Sequence, residues 1–216
     1  MLGEPTVFVV DDDEAVRDSM RLLLESVHLR VATFASASEF LTQYASDRPG
    51  CLLLDARLPD IDGLELQALL TERHISLPVI MISGHGDVSM AVRAMKAGAL
   101  DFFEKPYNGQ ILLDRIREAI RCDQDLSQLE AEINAVCARR ASLTPRENEI
   151  LDHIAAGDST KEIAKALDLS TKTVEGHRTR LMEKMEAQTV AALVRMALMS
   201  RCRAYPQHGG VVFSGF

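Results

Sequence analysis

The chain has 216 residues, 47% hydrophobic and 26% charged, with a formal net charge of −8. This suits an ordinary globular protein of one large or two small domains. No stretch approaches the ~18 consecutive apolar residues of a membrane span. The start, MLGEPTVFVVDDDE, lacks the basic segment of a signal peptide. Four scattered cysteines (Cys51, Cys122, Cys137, Cys202) without a CxxC pair point to a reduced, cytoplasmic setting. The charge is uneven: residues 141–204 carry ten basic and nine acidic side chains, a net +1, leaving −9 for the rest. An acidic part joined to a near-neutral part with a local basic helix predicts two domains with different partners.

Residues 6–121 alternate strand and helix signals five times. TVFVV precedes a helical pattern from Glu14 to Val27, with Val16, Leu23 and Val27 on one face. RVATF precedes a helix near Ser38 to Tyr44, CLLLD precedes Leu64 to Arg73, and PVIMIS precedes Val88 to Lys96, stopped at Ala97-Gly98. LDFF precedes Gln110 to Arg121. Short apolar runs closed by turn residues read as strands buried on both faces. The order (βα)5 therefore implies an α/β fold, a doubly wound parallel sheet with helices on both faces. On the fourth helix Val88, Ala91 and Met95 form the stripe expected to be buried, with Val92 at its margin and Arg93 and Lys96 outside.

Residues 122–141 contain neither Gly nor Pro, and Leu126, Leu129, Ile133 and Val136 recur at helical spacing. They predict a helical linker continuing the fifth helix, its apolar residues either facing a helix partner or incidental to a solvated segment. From Leu143 onward there is no strand signal. Thr144-Pro145 with Glu147 reads as a capping box with Pro in the first turn, and Gly157 closes that helix. A second helix starts at Ser159 or Thr160 and runs to Leu167; Ser170 caps a third reaching about Met185; Thr189 caps a fourth ending near Ser200. The result is an all-α four-helix domain. Expected boundaries are 1–121, a linker over 122–141, the helical domain over 142–204 and a disordered tail over 205–216.

In open α/β sheets the working groups lie just beyond the carboxyl ends of the strands. The first strand ends in Asp11, Asp12 and Asp13, the third in Asp55, the fourth in Ser83, and Lys105-Pro106 follows the fifth. Three or more carboxylates in one crevice resist ionising together unless a cation sits among them, which predicts a bound divalent metal. Add a hydroxyl donor and an ammonium, and the set suits transfer of a phosphoryl group to Asp55. Taken singly, Asp55 could cap a helix, Lys105 could be a surface charge and Ser83 a turn former. A strand ending in acids also loosely resembles the haloacid-dehalogenase phosphatases. Those normally carry Thr or Val where this chain has Ala15, and the chain lacks room for a cap domain.

The segments VVDDDE, LLLDARLPDIDG and ISGHGDVSMAVRAMKAGALDFFEKP resemble the receiver domain of bacterial two-component response regulators over residues 5–121. The resemblance implies that Asp11 and Asp12 are the acid pair, with Asp12 a direct ligand of Mg²⁺. It also implies that Asp55 is phosphorylated and that the backbone carbonyl of Arg57 completes the protein ligands. Ser83 would be the switch hydroxyl, Phe102 the aromatic that turns inward after it moves, and Lys105 the partner of the phosphoryl group, aimed by a cis bond to Pro106.

In the C-terminal part, the third helix carries Lys172, His177, Arg178, Arg180 and Lys184, whose charges would neutralise phosphates. Ile163, Ala164, Leu167, Leu169 and Val174 are spaced to pack it on the preceding helix. Two short helices around a tight turn, the second basic, form a helix-turn-helix pattern; periodicity alone would equally allow a solvated face. SLTPRENEILDHIAAGDSTKEIAKALDLSTKTVEGHRTRLMEKM is similar to the LuxR-type helix-turn-helix, and the whole chain resembles FixJ-type response regulators. By that resemblance Lys172, Thr173, Glu175, Gly176, His177, Arg178 and Thr179 face DNA, while Glu147, Ile163, Ala164 and Val174 belong to the scaffold. Val92, Lys96 and Asp101 would form the pairing face of a homodimer made on phosphorylation. Two residues depart from the family pattern. Gly176 stands where a β-branched residue is usual, which removes an apolar contact to a base methyl. Glu186 stands where Gly usually ends the helix, so a different exit turn is expected. The implied function is a cytoplasmic transcription factor rather than an enzyme, with autodephosphorylation as its only turnover. Its partners would be a sensor histidine kinase, double-stranded promoter DNA and RNA polymerase. A signalling adaptor without DNA binding is the other reading, with Gly176 its only hint.

Overall fold

The structure is a computed structural model and describes residues 4–45, 49–84 and 88–202; the tail expected to be disordered, residues 205–216, lies outside these. Strands β1 (Thr6–Val10), β2 (Arg30–Phe34), β3 (Gly50–Asp55), β4 (Val79–Ser83) and β5 (Asp101–Glu104) alternate with helices α1 (Glu14–Ser26), α2 (Ala37–Gln43), α3 (Gly63–Glu72), α4 (Val88–Lys96) and α5 (Gly109–Ala141). Every pairing is parallel and the strand order is β2-β1-β3-β4-β5. The expected doubly wound (βα)5 sheet is therefore present. Its chain reverses direction across the sheet between β1 and β3, the switch point at which such folds place their working groups.

Two-residue alternation distributes each central strand between two cores. Val7, Val9, Cys51, Leu53, Ile80 and Ile82 pack with Met20 and Leu24 of α1 and Leu112, Ile116 and Ala119 of α5. Phe8, Val10, Leu52, Leu54, Val79 and Met81 pack on the opposite face with Phe40 of α2, Leu66 and Leu70 of α3 and Ala94 of α4. On α1 the buried face centres on Met20 and Leu24; Leu23 and Val27 lie at its edge and are partly buried.

The stripe expected on α4 is corrected by the structure. Val88 is 82% exposed and Met95 is 47% exposed, whereas Ala94 is fully buried and Met90 packs beside it. Ser89, Arg93 and Lys96 share one side of this short helix, and the apolar residues spread over a broad arc opposite, so periodicity does not say which part of that arc meets the sheet. The sheet accepts the small Ala94 at close approach and leaves the larger Val88, Val92 and Met95 outside.

α5 is one helix of 33 residues and includes the whole expected linker. The chain divides into two compact units after Ser127, within this helix. In the first unit the Asp123 carboxylate of α5, itself buried, accepts a hydrogen bond from the Gly50 amide at 2.8 Å, fixing the helix to the start of β3.

The second unit contains α6 (Pro145–Ala156), α7 (Thr160–Ala166), α8 (Thr171–Lys184) and α9 (Val190–Cys202). Each start is chemically marked: Thr144–Glu147 and Ser159–Glu162 form capping boxes, Ser170 accepts from the Thr173 amide, and Thr189 accepts from the Ala192 amide. Gly157 closes α6 in the left-handed conformation at φ 92°. Ile150, Leu151, Ile163, Val174, Leu181, Leu193 and Ala197 make the core, with Val136 of α5 packed among them. The exit turn of α8 does not differ in kind from a glycine turn: Glu186 takes the left-handed conformation itself, at φ 53°, and its carboxylate pairs with Arg139. Among the described residues no helix is long and apolar enough to cross a membrane.

Candidate functional site

Asp11 follows β1 and Asp55 ends β3; these strands are neighbours, with Val10 in register with Leu54. Ser83 ends β4, and Lys105 follows β5, its amide donating to the Ser83 carbonyl at 2.8 Å. Parallel strands thus bring four strand ends to one edge. Lys105 Nζ donates to Asp11 Oδ2 at 2.8 Å and to Asp55 Oδ2 at 2.6 Å, bridging the two carboxylates. Both acids are buried, at 4% and 8% exposure. Burial pushes the Asp11 carboxyl above the usual carboxylate range, against the pull of Lys105. Burial also opposes the charge on Lys105, but its bonds to Asp11 and Asp55 outweigh that and raise its pKa. The Lys105–Pro106 peptide is cis.

The further acids at this edge are not buried with the pair. Asp12 and Asp13 are exposed, and Asp13 is occupied as the N-cap of α1, accepting from the Ala15 amide. Among the described residues no three acid, histidine or cysteine side chains converge closely enough to hold a metal by themselves. The donor set nevertheless fits Mg²⁺. That ion takes hard oxygen ligands and is usually held by one or two carboxylates completed by water and phosphate oxygens. A buried pair of carboxylates already sharing one ammonium is a place where a cation is favoured.

The surrounding loops are tightly made. Asp55 Oδ1 accepts from the Arg57 amide at 2.7 Å, and the Arg57 side chain is exposed. A Cβ on Gly63 would stand 2.4 Å from the Asp55 carbonyl oxygen, so only glycine lets α3 begin this close to the end of β3. Asp60 accepts from the Ser38 and Ala37 amides at the start of α2, and these bonds outweigh a burial cost to hold its pKa at about 2. Ser83 is fully buried, and Phe102 is half-buried against the core on the α3–α4 side. Val92 and Lys96 are exposed on α4, while Asp101 is half-buried and ion-paired with Arg115 of α5 at 2.8 Å. Asp101 is thus already partnered within the chain. Sequence reading overlooked Arg17, whose Nη1 donates to the Asp11 carbonyl at 2.8 Å; its only signal is a basic residue one turn into the helix that follows an acidic strand end.

In the second unit Lys172, Thr173, Glu175, Gly176 and Thr179 are exposed along α8, and His177 and Arg178 are half-buried. Arg178 Nη1 donates to Thr160 Oγ1 of α7 at 3.0 Å, a tie across the turn between the two helices. His177 Nδ1 is buried and has no hydrogen-bond partner among the described residues. Glu147, Ile163, Ala164 and Val174 are all buried. Lys184, expected among the phosphate-neutralising charges, instead donates to Glu147 Oε2 at 2.7 Å.

Residues 7–117 match the response regulator receiver domain family, and residues 141–197 match the luxR family of bacterial regulatory proteins. The transcriptional regulatory protein TdiR of Thauera aromatica is 44% identical over 89% of this chain and 85% of its own. The transcriptional regulatory protein FixJ of Rhizobium meliloti (strain 1021) is 43% identical over 89% of this chain and 95% of its own. Among solved structures, the response regulator StyR superposes with a TM-score of 0.82 at 39% identity, covering 94% of this chain and 100% of that one. Full-length FixJ from B. japonicum gives 0.56 at 38% identity, covering 94% and 99%.

Proposed function

The chain belongs to the FixJ-type two-component response regulators, which join a receiver domain to a LuxR-type DNA-binding domain, and from that premise we propose that phosphorylation of Asp55 by a sensor histidine kinase controls its binding to promoter DNA. The observation that carries this reading is the ammonium of Lys105 bridging Asp11 and Asp55. It puts a nucleophilic carboxylate and a phosphate-neutralising cation within hydrogen-bond reach of each other.

An Asp55 oxygen attacks phosphorus, the bond from phosphorus to the kinase imidazole breaks, and the imidazole leaves. Lys105 exchanges its bond to the Asp55 carboxylate for one to a phosphoryl oxygen, and Ser83 donates its hydroxyl to another. Mg²⁺, held by Asp11, Asp12, Asp55 and the Arg57 carbonyl, would supply charge neutralisation on the phosphoryl group. Hydrolysis of the aspartyl phosphate resets the chain, which otherwise performs no turnover.

Movement of Ser83 frees space for Phe102, and both residues border α4. Pairing of two copies through Val92, Lys96 and Asp101 would then bring two recognition helices to two half-sites, since one helix reads few bases. In each copy Lys172, Thr173, Glu175, Gly176, His177, Arg178 and Thr179 face the DNA, and RNA polymerase is the further partner. We assign the receiver to residues 1–121, the linker to 122–141 and the DNA-binding domain to 142–204, with the cytoplasm as the place of action. The decisive experiment is intact mass after incubation with acetyl phosphate, with and without Mg²⁺. One added phosphate is expected, only with Mg²⁺, and the same addition in Asp55→Asn would falsify the assignment.

A further inference from the structure

Asp12 has an exposed side chain and lies between two peptide groups that are each tied down. The carbonyl before it, that of Asp11, accepts from Arg17 Nη1 at 2.8 Å. The amide after it, that of Asp13, donates to Asp11 Oδ1 at 2.9 Å. The same turn is fixed further on, where the Arg17 amide donates to the Asp13 carbonyl at 3.0 Å and the Ala15 amide donates to Asp13 Oδ1 at 2.9 Å. Asp12 has a single carbon between backbone and carboxylate, so the two flanking peptides set where that carboxylate can go. Of the two ties, one belongs to Asp11, which also serves Lys105. The other is, among the described residues, the one hydrogen bond of the Arg17 side chain, whose surroundings are a polar hollow edged by Glu14, Asp18, Arg21 and Glu39.

We propose that Arg17 is a positioning residue for the cation site: by holding the Asp11–Asp12 peptide it presents the Asp12 carboxylate to the metal. The inference rests on the reading of Asp11 and Asp12 as the acid pair for Mg²⁺. Outer groups that orient metal ligands matter in this way generally, because a ligand already in place loses less freedom on binding. Charge alone predicts the opposite sign. A guanidinium beside a cation site repels the cation, so removing it without further effect would tighten metal binding. The sign of the change therefore separates positioning from electrostatics.

The test uses the full chain with Mn²⁺ as probe, free Mn²⁺ being read by electron paramagnetic resonance and Mg²⁺ added as competitor. Wild type, Arg17→Met, Arg17→Lys and Asp12→Asn are titrated, and each variant's thermal midpoint in EDTA is recorded by circular dichroism. Arg17→Met is expected to bind Mn²⁺ about tenfold more weakly, the scale of losing an outer-shell partner. Arg17→Lys, which keeps one donor and the charge, should recover most of that loss. Unchanged or tighter binding in Arg17→Met overturns the proposal, as does a loss in Arg17→Lys equal to that in Arg17→Met. If Arg17→Met does not fold, Arg17→Gln takes its place against the same criteria. A wild type that binds no Mn²⁺, or an Asp12→Asn that binds as wild type does, overturns the metal reading itself and is told apart by the control titrations.

Discussion

Glu147 Oε2 and Lys184 Nζ meet at 2.7 Å although 37 residues separate them in the chain. The same Glu147 oxygen accepts from the Thr144 amide at 2.9 Å, so one carboxylate caps α6 and anchors the end of α8. Lys184 and the Thr144 amide together hold the Glu147 pKa at about 2, below its ordinary 4.5.

A depressed carboxylate pKa stabilises the fold above the unfolded value, and that stability is lost as pH falls through the folded value. The window here runs from about 4.5 down to about 2. Glu147→Gln should cost about 1–2 kcal/mol at pH 7, the scale of a lost helix cap. The difference from wild type should shrink through that window and vanish near its lower end. Urea unfolding followed by circular dichroism at pH 7, 4 and 2.5 measures it; a penalty constant with pH would remove the ion pair from the account.

Because Lys184 is engaged with Glu147, it is not available to phosphates in the way that Lys172 is. Lys172→Ala should weaken duplex binding across sequences and reduce the slope of log affinity against log salt by about 1. Lys184→Ala should lower stability and leave that slope unchanged once the protein is folded. Fluorescence anisotropy with a promoter duplex at four salt concentrations separates the two lysines.

Much of the fold is readable from local chemistry. Thr144-Pro145 with Glu147, Ser159 and Ser170 each mark a helix start because side-chain oxygens must satisfy amides there, a requirement carried by a few consecutive residues. The strands are equally plain, since full burial on both faces demands uninterrupted apolar runs such as Cys51 to Leu54. What escapes the sequence is set by distant partners. The burial of Ala94 in place of Val88 and Met95 depends on how closely the sheet lies under α4. The pairing of Lys184 with Glu147, and of Asp101 with Arg115, depends on helices meeting after folding. At the crevice, the strand ends are legible from the order of elements. The bond from Arg17 to a main-chain carbonyl leaves no trace in residue type.

The raised pKa of Asp11 has its own consequence. A group whose folded value lies above its unfolded value favours the folded state when protonated, and that contribution is lost as pH rises through the folded value. Ionised Asp11 therefore costs stability at neutral pH, as a buried functional acid often does. Asp11→Asn should raise the thermal midpoint in EDTA at pH 7.5, and the gain should fade as pH falls through the raised folded value, where wild-type Asp11 takes up its proton. A variant less stable than wild type at pH 7.5 would show that the Lys105 bridge outweighs burial.

α4 leaves Val92 exposed beside Lys96, and Val88 still more so. If phosphorylation pairs two receivers through this face, residues 1–127, one compact unit, should shift from monomer toward dimer in sedimentation velocity when loaded with beryllofluoride. Val92→Asp would put two like charges near a two-fold axis and should abolish the shift. The Asp101–Arg115 pair adds a second lever, because Asp101 must leave or share Arg115 to meet a basic residue of another copy. Arg115→Ala should then leave pairing intact or strengthen it. A loaded receiver that stays monomeric at tens of micromolar rules out this route.

Gly176 lies on the exposed face of α8, and a Cβ added there would meet nothing within 4 Å. A glycine in a helix interior is about 0.5–1 kcal/mol less stabilising than alanine, so Gly176→Ala should raise the stability of the helical domain by about that amount. Valine is a poorer helix former than alanine because its branched carbon restricts rotamers against the preceding turn, so Gly176→Val should gain less. Its methyl groups, however, can meet a thymine methyl in the major groove, which neither glycine nor the shorter alanine does as well. Stability and affinity should therefore rank differently, with alanine first by thermal midpoint and valine first by duplex affinity on sites rich in A·T pairs. If both variants bind every duplex as wild type does, position 176 is away from the bases, and the orientation proposed for α8 in the groove must be turned about its axis.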